Sequence, residues 1–358
     1  MSSETILHID MDAFYASVEK NRKDLEGAVV VCVYSGRTRD SGAVSTCSYE
    51  ARSLGIHAAM PITRAKSIAE ESGEEVSFVA MDKKYYRSVS NSIREDVYDK
   101  YVEVVEQASI DEAYLEIDSD IDEAEKIGEK IQKEVEKEFN LTCSVGVASN
   151  KLVAKIASDR DKPEGLTVVR DDEVEEFMKN LQLGEIHGIG DKTVEKLDDL
   201  GIISVSDLVE AETALLVEVF GEKQGLKLKE KAQGIDDSEV APQDQKQITR
   251  ITTIGENSTI PKYIEKYFPD LAEEILSKAK KKGVGFRKVC LIVVDDEIKM
   301  HTRSTTLKNH VQNKEEIINN GEKLLEKFLT NFSGQVRRIG LRIAGLKEID
   351  DQSSLNEF

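Results

Sequence analysis

The amino-acid sequence predicts a multidomain protein of mixed α/β (α+β) class. Its 358 residues, 39% of them hydrophobic, are enough to bury two or more separate cores. In the first half of the chain, short apolar strands alternate with helices, which is typical of an α/β layer. A polar segment without periodicity, residues 236–246, contains a proline and predicts a linker to a second α/β unit.

Five segments indicate the first α/β layer. The apolar runs at residues 6–9 (ILHI) and 29–33 (VVVCV) predict buried strands, and residues 14–20 between them predict a helix. Residues 121–139 place apolar side chains at helical spacing with charges on the other face, so they predict an amphipathic helix. The β-branched and small residues of TCSVGVA, 142–148, predict a further strand.

From about Asp171 to the linker, the sequence predicts helical segments that are interrupted by glycines. Beyond the linker, apolar and β-branched runs predict strands, and helical periodicity predicts helices between them. The predicted strands are 248–254, 286–294, 299–306 and 336–346, and the predicted helices are 262–281 and 314–330.

Composition excludes several classes of protein. No run of about 18 apolar residues is present, so no membrane-spanning helix is expected. The start, MSSETILHID, lacks the features of a signal peptide. The four cysteines are far apart and form no CxxC pair, which favours buried free thiols over a zinc site or a disulfide framework. A cytoplasmic protein is therefore expected.

The net charge of −20 is unevenly distributed. Residues 246–350 contain 20 Lys and Arg against 14 Asp and Glu, a net of +6, so the rest of the chain carries −26. A basic last third favours contact with a polyanion such as nucleic acid. The acidic remainder has a second explanation, adaptation to a salty cytoplasm, which requires no functional site.

Three carboxylates lie at the ends of apolar segments. Asp10 follows the strand ILHI, and Asp111 and Glu112 are adjacent in SIDEAYLEI. A carboxylate at the end of a buried strand is unfavourable unless it is paired or binds a cation. Mg²⁺ prefers a few carboxylates together with phosphates and water, and two such ions can stabilise both oxygens of a phosphoryl transfer. The pattern alone is also compatible with three solvated surface carboxylates that bind no metal.

Six sequence motifs that occur in a fixed order favour a metal site over surface carboxylates. They are DMDAFYASVE, SGAVSTCSYEAR, GIHAAMPI, ASIDEAYLEI, SVGVASNKLVAKIASDRDKPEG and HGIGDKT. Together they resemble the Y-family DNA polymerases, most closely the archaeal DNA polymerase IV type, from Ile6 to about Lys347. The resemblance implies a right-handed polymerase, expected to comprise a palm (1–21 and 80–170), fingers (22–79), a helical thumb (171–235), the linker (236–246), a DNA-binding little finger (247–349) and a tail (350–358).

The resemblance also implies the catalytic residues. The metal ligands of the family fall on Asp10, Asp111 and Glu112, with the carbonyl oxygen of Met11 as a fourth ligand. They are expected to hold two Mg²⁺ ions, for which Mn²⁺ can substitute. Asp12 matches a position with a supporting structural role. The implied reaction is attack of a primer 3′-hydroxyl on a deoxynucleoside triphosphate during lesion bypass, without proofreading.

Further residues are expected to bind the nucleotide. By resemblance, Tyr15 is the steric gate that leaves no room for a 2′-hydroxyl. Plain core packing remains an alternative for Tyr15 and for Phe14 before it. Tyr49 and Arg52 are three residues apart and so share a helix face, where a guanidinium suits a triphosphate. The nucleotide contacts implied by the resemblance are Phe14, Tyr15, Val44, Ser45, Thr46, Tyr49, Arg52 and Lys162.

Two regions are expected to contact DNA. HGIGDKT resembles a helix-hairpin-helix, in which Gly188 and Gly190 form a tight turn next to a helix N-terminus and Lys192 follows. VRRIGLRI alternates Arg338 and Arg342 with apolar residues, so one strand face would present cations to phosphates. The alternative for the second region is an edge strand whose charges prevent aggregation.

The C-terminal tail contains three residues with the spacing of a known peptide motif. Gln352, Leu355 and Phe358 form Q-x-x-L-x-x-F, which resembles the peptide by which replication proteins bind the sliding clamp. Because only one aromatic residue is present, a weak interaction is expected, and a chance match at a frayed terminus is the alternative. The expected partners are primer-template DNA, deoxynucleoside triphosphates and the sliding clamp, with the protein itself a monomer.

Two other functions share part of these features. A nucleotide cyclase can use the same carboxylates on a palm-like fold, but it needs neither the hairpin motif nor a basic last domain. A non-catalytic DNA-binding protein derived from a polymerase would not need Asp10, Asp111 and Glu112 intact.

Overall fold

The structure is a computed structural model that describes residues 4–38, 40–242 and 245–349. The described chain divides into two compact units. Unit 1 comprises residues 4–34 and 40–242, and unit 2 comprises residues 35–38 and 245–349. The main division falls inside the segment predicted as a linker.

The described residues of unit 1 form two sheets. The strands described in this unit are β1 (Glu4–Met11), β2 (Ala28–Tyr34), β3 (Gly42–Cys47), β4 (Val76–Ala80), β5 (Val105–Gln107), β6 (Glu112–Asp118), β7 (Cys143–Ala148) and β8 (Leu166–Val168). A five-stranded sheet has the order β5-β6-β1-β7-β8, and a three-stranded sheet has the order β3-β2-β4.

Helices cover these sheets and form the last part of the unit. The helices described here are α1 (Phe14–Lys23), α2 (Tyr49–Ser53), α3 (Ile62–Ser72), α4 (Lys83–Asp96), α5 (Ile121–Phe139), α6 (Lys151–Ser158), α7 (Val174–Lys179), α8 (Asp191–Asp198), α9 (Val205–Glu210), α10 (Thr213–Phe220) and α11 (Glu222–Ala232). The short helices after residue 171 confirm the prediction of glycine-broken helical structure there.

The predicted elements of the first layer are confirmed. The strands predicted at 6–9, 29–33 and 142–148 are β1, β2 and β7, and the two predicted helices are α1 and α5. Local chemistry sets the ends of α5. The side chain of Asp120 accepts a hydrogen bond from the N–H of Glu123 at the start, and Asn140 adopts a left-handed conformation at the end.

Unit 2 is a four-stranded antiparallel sheet packed against helices. Its described elements are β9 (Gln247–Ser258), α12 (Pro261–Glu265), α13 (Phe268–Lys281), β10 (Val284–Asp295), β11 (Met300–Val311), α14 (Lys314–Leu329) and β12 (Val336–Glu348). The strand order is β11-β10-β12-β9. The core is formed by apolar side chains of α13 and α14 and one face of the sheet.

Two expectations for unit 2 need correction. The single helix predicted at 262–281 is two helices, because Pro269 lacks an N–H and favours the first turn of a helix, so that α13 begins at Phe268. The alternative of an edge strand for VRRIGLRI is wrong, since β12 pairs with β10 on one side and with β9 on the other.

Two further expectations from the composition can be compared with the described residues. Within residues 4–38, 40–242 and 245–349, no helix is long and apolar enough to cross a membrane. All four cysteines have buried free thiols, as predicted.

Candidate active site

The acidic residues singled out in the sequence lie at one edge of the five-stranded sheet. β1 and β6 are antiparallel, and their register places Asp10 directly opposite Glu112. The backbone N–H of Met11 donates a hydrogen bond to the carbonyl oxygen of Asp111, with an N···O distance of 2.9 Å. Strand pairing thus brings Asp10 together with Asp111 and Glu112, which lie about 100 residues later in the sequence.

Asp10 is paired with a lysine. Lys162 Nζ lies 2.7 Å from Asp10 Oδ2 and 2.6 Å from Asp159 Oδ1. Burial raises the pKa of Asp10 to about 6, although Lys162 opposes that rise. Burial alone would lower the pKa of Lys162, but Asp10 and Asp159 together hold it above its usual value. Lys162 therefore stays positively charged beside the carboxylate.

Glu112 is also paired with a lysine. Lys155 Nζ lies 2.9 Å from Glu112 Oε2, and His8 Nε2 lies 3.5 Å from the same oxygen. His8 and Lys155 lower the pKa of Glu112 to about 2, against the effect of burial. The ring of His8 is buried, and its Nδ1 lies 2.7 Å from Ser158 Oγ. Glu112 is therefore an ionised carboxylate held by groups of β1 and α6.

Asp111 is positioned by the turn that precedes β6. The hydroxyl of Ser109 hydrogen-bonds to the carboxylate of Asp111. The same hydroxyl oxygen accepts the N–H groups of Asp111 and Glu112 at 3.1 and 3.0 Å. This turn directs Asp111 to the same sheet edge as Asp10.

The side chains at this edge do not form a closed set of metal ligands. Across the described residues, no three acidic, histidine or cysteine side chains converge closely enough to hold an ion. The donor chemistry nevertheless fits Mg²⁺, because Asp10, Asp111 and Glu112 supply carboxylate oxygens at one edge. Lys155 and Lys162 now provide the positive charge that these carboxylates require.

Asp12 is buried and hydrogen-bonded by the protein. It accepts hydrogen bonds at 2.9 Å from Ser144 Oγ and from the backbone N–H of Glu164, and Tyr49 Oη lies 3.4 Å away. Its carboxylate therefore links β1 to β7, to α2 and to the loop that carries Lys162.

The two aromatic residues that begin α1 lie in different surroundings. Phe14 is only 2% exposed, and its side chain belongs to the core. Tyr15 is partly exposed, and its ring stacks on that of Tyr86 with centroids 4.5 Å apart and an angle of 20°. Ala13, before the helix, has φ of 44°, which turns the chain sharply after β1.

The other expected nucleotide contacts lie on β3 and α2. Val44 is 2% exposed, so its side chain packs inside the unit, whereas Ser45 and Thr46 are partly exposed. The guanidinium of Arg52 lies 4.7 Å from the ring centre of Tyr49, as expected for one helix face. Burial, followed by the nearby Asp12, raises the pKa of Tyr49, so its phenol remains a donor.

The expected hairpin is present before α8. Gly188 has φ of 87°, a conformation that favours glycine, and it lies against Lys231 Nζ, which donates to the carbonyl oxygen of His187 at 2.6 Å. Gly190 is the N-cap of α8, and Lys192 is exposed in its first turn. A cavity of about 610 Å³, lined in part by Lys155 and His187, adjoins this hairpin.

The arginines of β12 lie on the face opposite the core of unit 2. Ile339, Leu341 and Ile343 are fully buried, whereas Arg338 is exposed and Arg342 is partly exposed. Arg342 Nε donates to Thr249 Oγ1 at 3.1 Å. The alternation predicted from the sequence is therefore present.

Two groups of residues remain, the expected clamp-binding residues of the tail and the neighbours of the site that the sequence did not indicate. Gln352, Leu355 and Phe358 lie outside the described residues. Sequence reasoning missed Lys155 and His8 beside Glu112, and Tyr86 beside Tyr15. Lys155 lies within the motif SVGVASNKLVAKIASDRDKPEG and His8 within the strand ILHI, but only strand pairing and helix packing show which carboxylate they face.

One family of sequences matches most of the chain. The impB/mucB/samB family profile matches residues 9–159, its C-terminal domain matches residues 245–356, and the IMS family HHH motif matches residues 171–202. DNA polymerase IV 1 of Methanosarcina mazei is 38% identical over 370 residues, which span 100% of both proteins.

Solved structures agree with this similarity. A Y-family DNA polymerase chimera, Dbh-Dpo4(243-245)-Dbh, superposes with a TM-score of 0.88 at 32% identity, covering 96% of this chain and 100% of that one. An insertion ternary complex of Dbh DNA polymerase has a TM-score of 0.69 at 31% identity, with the same coverage.

Proposed function

The chain belongs to the Y-family DNA polymerases of the impB/mucB/samB family, and from this premise we propose how its residues carry out translesion DNA synthesis. It is a DNA-directed DNA polymerase. The observation that supports the proposed site is the strand register that places Asp10 opposite Glu112, with Asp111 beside them.

The polymerase depends on a divalent metal, and we assign its binding to Asp10, Asp111, Glu112 and the carbonyl oxygen of Met11. Two Mg²⁺ ions, or Mn²⁺ in their place, would lower the pKa of the primer hydroxyl and stabilise the oxygens of the transferred phosphoryl group. Two of the carboxylates at this edge are already ion-paired with lysines. Binding of cations would release Lys155 and Lys162 from these carboxylates.

The triphosphate is expected to bind where α2 and the loop after α6 meet. Asp12 hydrogen-bonds to the backbone of Glu164 and lies near the Tyr49 hydroxyl, so it brings Lys162 and the Tyr49–Arg52 face to one neighbourhood. A lysine released from Asp10 and a planar guanidinium both suit phosphate oxygens. Ser45 and Thr46 on β3 add hydroxyl groups.

Tyr15 is proposed to select the sugar. Its partly exposed ring lies just after the catalytic strand and is supported on one face by Tyr86. A ring held in this way leaves no room for a 2′-hydroxyl. Phe14 and Val44 support the pocket from within, because both side chains are buried.

DNA is proposed to bind at two places. The hairpin with Gly188, Gly190 and Lys192 presents backbone N–H groups and a cation to phosphates. Arg338 and Arg342 present cations from the sheet of unit 2. Both contacts are independent of base sequence, as a polymerase requires.

We retain the domain assignment made from the sequence. The five-stranded sheet falls in the proposed palm (1–21 and 80–170), the three-stranded sheet in the fingers (22–79) and the short helices in the thumb (171–235). Unit 2 contains the proposed little finger (247–349). A monomer that acts in the cytoplasm and binds the sliding clamp through its tail completes the proposal.

The test is primer extension on templates with and without an abasic site. Asp10→Ala and Glu112→Ala should each abolish extension but leave DNA binding largely intact, because they remove metal ligands and not phosphate contacts. Asp118→Ala is the matched control, since it removes a carboxylate at the far end of β6. Near-normal extension by either of the first two variants would refute the metal assignment.

A further inference from the structure

A buried carboxylate lies behind the proposed sugar gate. Glu19 is on α1, one helical turn after Tyr15, and its side chain is completely buried. Residues four apart share a helix face, so Tyr15 and Glu19 point to the same neighbour. That neighbour is Tyr86 of α4, which is also completely buried.

Tyr86 is held at two points by these residues. Its ring stacks on Tyr15 at 4.5 Å, and its hydroxyl donates a hydrogen bond to Glu19 Oε1 at 2.9 Å. Burial and Glu19 keep the pKa of Tyr86 above its usual value, so the phenol remains a donor. The hydrogen bond fixes the plane of the ring against which Tyr15 rests.

Glu19 is paired with two cations on its own helix. Lys23 Nζ lies 2.7 Å from Glu19 Oε2, and Arg22 Nη1 lies 3.7 Å from Oε1. Arg22 also pairs with Asp82, the N-cap of α4, at 2.9 Å. Both cations are more than one third exposed, so they would regain water if Glu19 were replaced.

We propose that Glu19 is a positioning residue for sugar selection, which it controls by holding Tyr86 against Tyr15. This inference rests on the proposed role of Tyr15 as the steric gate. If the hydroxyl of Tyr86 loses its acceptor, the ring can tilt, and Tyr15 loses the flat support on its buried side. A small displacement of Tyr15 is enough to admit one additional oxygen atom, so ribonucleotide insertion should rise while deoxynucleotide insertion stays nearly the same.

Three variants test this inference through kcat/KM for a deoxynucleotide and for the matching ribonucleotide. Glu19→Leu and Tyr86→Phe remove the hydrogen bond from either side, and each should lower discrimination about tenfold, equivalent to about 1.4 kcal/mol. The double variant should lose no more than either single one, because both remove the same contact. Glu19→Gln retains an acceptor oxygen and should restore most of the discrimination.

The matched control is Tyr101→Phe. Tyr101 Oη also donates to a glutamate, Glu134 Oε1, at 2.7 Å, but Glu134 lies on α5 and not behind Tyr15. Its loss should leave discrimination unchanged. A purely structural role for Glu19 would lower insertion of both sugars equally in proportion to the loss of thermal stability, and that result would overturn the inference.

A parallel measurement on Tyr15→Ala separates the two assignments. If Tyr15→Ala loses discrimination but Glu19→Leu and Tyr86→Phe keep it, the gate stands and the positioning role is wrong. If Tyr15→Ala keeps discrimination, the gate itself is misassigned and the inference is refuted with it.

Discussion

Replacing Asp12 tests whether a buried carboxylate, distinct from the proposed metal ligands, holds the nucleotide site together. Asp12 is 3% exposed and accepts two hydrogen bonds of 2.9 Å, from Ser144 Oγ and from the N–H of Glu164. Asp12→Ala removes both. The loop that carries Lys162 then loses its hydrogen bond at Glu164, while the ion pair between Lys162 and Asp10 remains.

The expected loss of stability follows from these two contacts. A hydrogen bond to a charged group contributes about 1.5–3 kcal/mol. Ser144 is completely buried and would lose its acceptor, whereas Glu164 is exposed and its N–H would bond to water. Removing a buried charge also relieves its desolvation, so we expect Asp12→Ala to lower the free energy of unfolding by about 2 kcal/mol.

A second replacement makes the reasoning more specific. In Asp12→Asn the side-chain oxygen can still accept from Glu164, and the amide can donate to Ser144 Oγ. Both contacts survive without the charge, so we expect a loss of about 1 kcal/mol or less. The KM for the incoming nucleotide should rise more in Asp12→Ala than in Asp12→Asn, because only the first removes the hydrogen bond that holds the loop at Glu164.

Urea unfolding of the full chain measures these changes by circular dichroism, since the protein contains no tryptophan. Asp122→Ala is the matched control, because Asp122 is an exposed partner of Arg170 and contributes little to stability. Equal unfolding free energies for Asp12→Ala and the control would refute the argument. An unchanged KM in Asp12→Ala would show that the loop is held by other contacts.

Three further predictions concern unit 2 and the tail. Arg338→Ala and Arg342→Ala should each reduce the slope of log DNA affinity against log salt by about one, and an unchanged slope would exclude them from the DNA interface. Deleting residues 351–358 should remove stimulation by the sliding clamp but leave unassisted extension intact, and persistent stimulation would place the docking site elsewhere. His301 lies 2.7 Å from Asp295 and lowers its pKa, so this contact stabilises unit 2 above the unfolded pKa of about 3.9 and loses its effect as pH falls through the folded value. His301→Ala should therefore destabilise unit 2 above a pH of about 3.9 but not below the folded pKa of Asp295. Urea midpoints measured in these two pH ranges provide the check.

Much of the fold could be predicted because its elements carry local signals. Residues 121–139 have helical periodicity, a capping aspartate before them and an asparagine after them, and α5 has the predicted bounds. The prediction of a single helix at 262–281 is wrong at Pro269, because the helical periodicity continues past a proline that lies in the first turn of a new helix. The central position of β12 could not be predicted, since charged residues on one strand face are compatible with an edge or with an interior strand.

The site divides in the same way between local and tertiary information. Asp10 and Glu112 follow from motifs, but their opposition depends on the register of β1 and β6. Lys155 belongs to the motif SVGVASNKLVAKIASDRDKPEG, but only the packing of α6 beside β1 reveals that it pairs with Glu112.

The lysine pairs have a consequence for catalysis. Two carboxylates at one sheet edge would repel each other, and here Lys162 and Lys155 compensate them one to one. Cations that bind at this edge must compete with these lysines, and a triphosphate that attracts Lys162 weakens that competition. Nucleotide and metal should therefore bind cooperatively, because each removes part of the charge that opposes the other. Lys162→Met should abolish this cooperativity, which titration of Mg²⁺ with and without a nonhydrolysable deoxynucleotide would detect. Equal cooperativity in the variant and in the unchanged protein would mean that Lys162 is not the link between the two sites.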